Sequence, residues 1–203
     1  MPQDAFAKLD KKESQVVVDS VNPVLEGGSF DAETVTILAQ NLSFYPGYRF
    51  LDIADFSAVP ALQRFAVHSR DRTVLLNGTN EPIYELNKNI PVKLDKDNIL
   101  DYARFFFSHV RGRHGRFIIT ESVEDIAWRE EPPPAVRKAV GQLLEPLELS
   151  GMEDSAFKLT ARILFRDSLF RAVITVKPDG NVGISQEELL LEDIPVLDDT
   201  FGQ

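Results

Sequence analysis

The chain has 203 residues, 43% hydrophobic and 27% charged, with 22 Lys and Arg against 32 Asp and Glu for a net charge of −10. A chain of this length buries about 70% of its unfolded surface, so it can hold a core without covalent staples. Its ordinary composition excludes wholesale disorder, a collagen or coiled-coil rod and a disulfide-held miniprotein.

There is no cysteine, which removes disulfides, thiolate metal sites and thiol catalysis. The net charge is −3 through Arg129 and −7 beyond it, so the acid excess lies in the C-terminal third. That balance argues against a nucleic-acid partner, though it permits a local basic site. The N-terminus lacks an apolar core, and no apolar run approaches the ~18–20 residues that span a membrane. A cytoplasmic protein with no membrane partner is the expectation.

Residues 1–14 are polar and without period, and are expected to fray. The Val16-Val17-Val18 run decides no state. Gly27-Gly28 breaks the chain, and Asp31 is placed to cap a short helix over 32–42. Pro46-Gly47 is a turn. Residues 48–56 read as a strand, and 64–69 with 73–76 as a hairpin around Arg70-Asp71. Asn77-Gly78 is a further turn, and 81–86 is too short for periodicity to decide.

The clearest helix is 98–111, with Asp97 as its expected cap and Ile99, Ala103, Phe106 and Val110 as a stripe at 4, 3 and 4 spacing. Gly112 is its expected stop, and a strand over 116–121 follows. Pro132-Pro133-Pro134 is the best candidate sub-boundary, spanning 130–134. Pro134 can also open a helix over 135–144.

Residues 157–166 and 169–177 alternate apolar and polar at period two. Pairing Phe165 with Phe170 keeps both apolar sets on one face. The Pro178-Asp179-Gly180 turn leads to a third strand beginning at Asn181. The fold class predicted is α+β, with antiparallel strands, including a C-terminal three-stranded meander, packed against two or three helices. The organisation expected is a frayed 1–14, one domain over 15–194 and an acidic arm over 195–203.

No chemical signature stands out. His68, His109 and His114 have no metal-ligand spacing, so neither a metal site nor a cofactor is implied. No nucleophile elbow or phosphate-binding glycine loop occurs, and no catalytic residue can be named. Asp95, Asp97, Asn98 and Asp101 resemble a calcium loop but lack its glycine and its bidentate glutamate. They read better as a helix start.

The most unusual stretch is 102–117, with four arginines, two histidines and no acid. Guanidinium forks suit carboxylate or phosphate. Arg111, Arg113, His114 and Arg116 are therefore candidate anion-binding residues, with backbone N–H groups of the glycine-flanked turn as further donors. Arg70 and Arg72 form a weaker second patch. The competing reading is that these arginines pair with the chain's own carboxylates.

The segment 187–203 mixes six acids with leucines and Phe201. Leu197, Phe201 and Trp128 are candidate interaction residues, for a protein partner or a second copy. Two function classes follow. One is a soluble non-catalytic binding or adaptor protein. The other is an enzyme acting on a small anionic ligand through the 111–116 turn, with His109 or His114 moving a proton. A pocket holding a histidine and a carboxylate together would favour the second.

Overall fold

The structure, a computed structural model, describes residues 5–197. The chain divides into two compact units. Unit 1 runs to Asn77 and takes in Glu81–Lys93, and unit 2 comprises Gly78–Asn80 and the chain from Leu94 onward. The candidate sub-boundary at 130–134 lies inside unit 2.

Unit 1 contains β1 (Ala7–Lys8), α1 (Lys11–Val21), β2 (Thr36–Asn41), β3 (Arg49–Asp55), β4 (Leu62–His68), β5 (Thr73–Leu76) and α2 (Glu81–Asn89). The strands form one antiparallel sheet in chain order. Residues 7–14, expected to fray, instead form an edge strand and the first turn of α1. A reciprocal capping box fixes that turn: Asp10 accepts from the N–H groups of Lys12 and Glu13, and Glu13 accepts from Asp10. Val17, Val18 and Val21 of α1 pack with Ile37, Ala39, Leu51, Ile53 and Ala66 of the sheet. On the other face, Phe50 stacks on Phe65 at 5.8 Å between ring centroids.

The helix expected over 32–42 is a strand. Asp31 caps only a turn, accepting from Glu33 N–H. Thr36, Ile37 and Leu38 then pair with Ala54, Ile53 and Asp52. The β-branched run Thr34-Val35-Thr36-Ile37 fits a pleated surface better than a helix. The 73–76 hairpin stands as expected, closed by Ser69 N–H on the Arg72 carbonyl.

His68 is buried beside it. Ser20 donates to the Val17 carbonyl and Thr73 Oγ1 donates to Ser20, so both hydroxyl protons are engaged. His68 Nδ1, 2.8 Å from Thr73 Oγ1, must therefore be the donor in that contact. Burial, reinforced by the Arg49 guanidinium on the neighbouring strand, holds the imidazole pKa below its ordinary value of 6.5.

Unit 2 contains α3 (Ile99–His109), β6 (Phe117–Ile119), α4 (Pro134–Gly141), β7 (Glu148–Glu153), β8 (Ala156–Phe165), β9 (Ser168–Val176) and β10 (Val182–Leu191). Its sheet is antiparallel in the order β10-β9-β8-β6, with β7 also pairing along β8. The C-terminal meander and the α+β class are as expected. The register differs by two residues: Phe165 opposes Ser168 and Ile163 opposes Phe170, because the turn is the two residues Arg166 and Asp167. An even shift preserves the faces. Phe157, Leu159, Ala161 and Ile163 are buried with Ala172, Ile174 and Val176, while Phe165 and Phe170 are half-buried.

The second face is covered too. Leu164 and Leu169 pack with Val140 of α4 and with Ile126, Ile194 and Val196. Arg162 on that face is buried, its Nε on the Leu143 carbonyl at 2.8 Å and a terminal nitrogen on Glu145 at 2.5 Å.

Helix α3 is started not by Asp97 but by a reciprocal pair. Asp95 accepts from the N–H groups of Asp97 and Asn98, and Asn98 accepts from Asp95 N–H. It ends at His109, before Gly112. Tyr102 Oη donates to the Gly180 carbonyl at 2.7 Å, fixing α3 to the β9–β10 turn. Arg104 grips Glu121 with two bonds of 2.8 and 2.9 Å. That grip, with Leu147 N–H on the same carboxylate, holds Glu121 below the usual carboxylate range. Pro134 opens α4 as expected.

Two outcomes test this architecture. Ile174→Ala, at a fully buried position, lowers unfolding stability by about 2–5 kcal/mol in urea titrations, while Leu189→Ala on the exposed strand costs less than about 0.5 kcal/mol. For His68 the unfolded chain takes up a proton as pH falls below about 6.5, while the folded chain does so only at lower pH. Stability therefore drops with falling pH in that window, and His68→Gln flattens the drop in thermal melts between pH 7 and pH 5.

Candidate functional site

After α3 the chain makes a tight turn with Arg113 and His114 at its tip. Gly112 N–H donates to the Gly115 carbonyl at 2.8 Å and Gly115 N–H returns to the Gly112 carbonyl at 3.3 Å. Both glycines are required by close approach. A Cβ on Gly112 would stand 2.7 Å from the Phe117 ring. Gly115 takes φ +141, and a Cβ there would stand 3.2 Å from the Phe165 ring. The turn thus lies down on two aromatic rings that stack on each other at 4.5 Å and 16°.

Beside that stack is a cavity of about 510 Å³. Its wall is Phe117 of β6, Ile163 and Phe165 of β8, Phe170 and Ala172 of β9 and Ile184 of β10. This is the open end of the sheet face whose other end is buried, which is why Phe165 and Phe170 are only half-buried. Arg113, His114, Arg166 and Glu187 supply the polar part of the lining. Arg166 reaches the His114 carbonyl at 3.3 Å and lies over the Phe165 ring at 5.5 Å. Arg113 makes no hydrogen bond or ion pair with any described residue. The contacts present are those of a small apolar chamber with exposed guanidinium donors.

Of the sequence candidates, Arg113 and His114 line the cavity and Arg111 and Arg116 do not. Arg116 instead donates to the Ser108 carbonyl of α3 at 3.1 Å, and Arg111 N–H donates to the Gly78 carbonyl. Of the backbone N–H groups of 113–116 expected to face an anion, that of Gly115 is bonded within the turn to the Gly112 carbonyl. Arg70 and Arg72 are exposed on the β4–β5 hairpin and belong to unit 1. His109 is engaged by its own helix, Nδ1 lying 2.8 Å from the Phe105 carbonyl.

The interaction candidates divide likewise. Trp128 Nε1 donates to the Val123 carbonyl, and the residue bridges to Val196, with Arg129 N–H on Pro195 and Leu197 N–H on Ala127. Val196 is part of the core of unit 2, so the start of the expected arm is packed into the fold. Leu197 is exposed at 53%. Phe201 lies outside the described residues. Glu187 to Leu191, the start of the acidic, leucine-containing segment 187–203, are the second half of β10.

Sequence reasoning missed Arg166, Glu187 and the aromatic wall. Their only signal was the period-two alternation, which placed Phe165 and Phe170 on one face without showing that this end stays open. Among the described residues no helix is long and apolar enough to cross a membrane. Compared with known proteins, the chain matches no family model, no curated protein and no solved structure.

Proposed function

We propose that unit 2 is a non-catalytic binding module for a small organic anion with an apolar body. The observation that carries this reading is Arg113, without a hydrogen-bond or ion-pair partner among the described residues, at an aromatic-walled cavity that also takes in the Arg166 guanidinium. An apolar body would remove the rings of Phe117, Phe165 and Phe170 from water, each buried Å² contributing about 25 cal/mol. A carboxylate on that body would meet the guanidinium forks. Such a charge-assisted bond is worth about 1.5–3 kcal/mol when shielded, and less at a mouth open to salt and water.

The cavity does hold a histidine and a carboxylate, the combination that favours an acid–base enzyme. No hydrogen bond or ion pair joins His114 to Glu187 or either to a neighbouring base or nucleophile, and general acid–base work rests on such geometry. Binding is the better-supported role. The ligand is then released unchanged, a point that mass spectrometry of the bound fraction checks.

Indole-3-propionate at millimolar concentration raises the melting temperature of the full chain, and acetate does not, since acetate has no apolar body. Arg113→Ala weakens indole-3-propionate binding about tenfold in calorimetric titration, equivalent to about 1.4 kcal/mol. Equal binding by the variant, or no shift in the wild type, removes the cavity as an anion site.

A further inference from the structure

Glu187 gives the cavity a second chemical character. Continued alternation from Ile184, which lines the cavity, would bring Gln186 to that side and turn Glu187 away. A bulge prevents this. Ser185 opposes Val173 and Glu188 opposes Arg171, so Gln186 and Glu187 together face Ala172. Gln186 takes φ +53, a backbone conformation that side chains other than glycine rarely adopt. Beyond the bulge the alternation is reset by one. Glu187 joins the cavity lining with Ile184 and Ala172, and Glu188 turns to the other face, 3.8 Å from Arg171.

Glu187 is thus an acid in a cavity lined by two guanidiniums, and it pairs with neither. No hydrogen bond or ion pair to any described residue engages it. A cavity meant only for anions is weakened by a carboxylate in its wall, because that charge repels the ligand. The same carboxylate strengthens binding if the ligand carries a cationic group as well.

We propose that the cavity takes a zwitterion, a free α-amino acid with a large aromatic side chain. Its carboxylate meets Arg113 and Arg166, its ammonium meets Glu187, and its ring lies against Phe117, Phe165 and Phe170. The lining formally carries two positive charges and one negative, which suits a ligand of mixed sign better than a dianion. Glu187 is the specificity-determining residue. This rests on the reading of the cavity as the binding site for an anion with an apolar body.

The test compares three molecules with one ring system on the full chain by calorimetric titration: L-tryptophan, indole-3-propionate without the ammonium, and tryptamine without the carboxylate. Wild type binds tryptophan about tenfold more tightly than either of the others. Glu187→Gln, an exposed position whose change leaves the fold intact, lowers tryptophan affinity about tenfold and leaves indole-3-propionate binding equal or stronger. If indole-3-propionate binds wild type as well as tryptophan does, or if Glu187→Gln leaves tryptophan unaffected, the zwitterion is wrong while the anion site stands. If none of the three binds wild type, both are wrong.

Discussion

The two residues Arg166 and Asp167 turn β8 back on β9 with Phe165 opposite Ser168, and every further pair between these two strands follows from that closure. Since side chains alternate with period two, this register decides which residues of β8 and β9 share the core and cavity face. One face receives Phe157, Leu159, Ile174 and Val176, fully enclosed, and then Phe165 and Phe170, which stay half-open. The other receives Leu164, Leu169 and Arg162 beneath α4 and the chain around Ile194. A slip of one residue would turn one strand over relative to the other, so that Arg171, which stands opposite Arg162, would share a face with Ile163 and Phe165 instead. The aromatic stack of Phe117 on Phe165 then gives the Gly112–Gly115 turn its seat.

Legibility in the sequence followed locality. The strands over 157–166 and 169–177 could be read because alternation belongs to each segment alone, and the face assignment survived a wrong pairing because the error was even. Helix α3 was legible from its 4, 3, 4 stripe, though its cap was not, since Asp95 and Asn98 bond each other in a way spacing does not reveal. Residues 32–42 were misread. Their apolar spacing tolerates either period, and the deciding contact is with β3, a non-local partner. The fraying expected for the N-terminus failed for the same reason: Ala7 and Lys8 pair with Ala39 and Leu38, some thirty residues along.

The candidate site shows the same divide more sharply. Arg113 and His114 could be found as a basic island without acids. Arg166 and Glu187 lie more than fifty residues away along the chain, and reach the cavity through the β8–β9 closure and the bulge in β10. Nothing in a run of acids and leucines announces that one extra residue in the ladder turns a glutamate inward. Conversely, Arg111 and Arg116 looked equivalent to Arg113 in sequence, and only the turn geometry separates them.

Trp128 is the sole tryptophan, and it sits in unit 2 with its indole nitrogen bonded to the Val123 carbonyl and its backbone bridged to Val196. Three of the four tyrosines, Tyr45, Tyr48 and Tyr84, belong to unit 1. Emission excited above 295 nm, where tyrosine is nearly silent, therefore comes from one unit alone. Far-ultraviolet dichroism sums over both. The chain carries a built-in spectroscopic label, and comparing the two signals during unfolding separates the loss of one sheet from the loss of the other without any added dye.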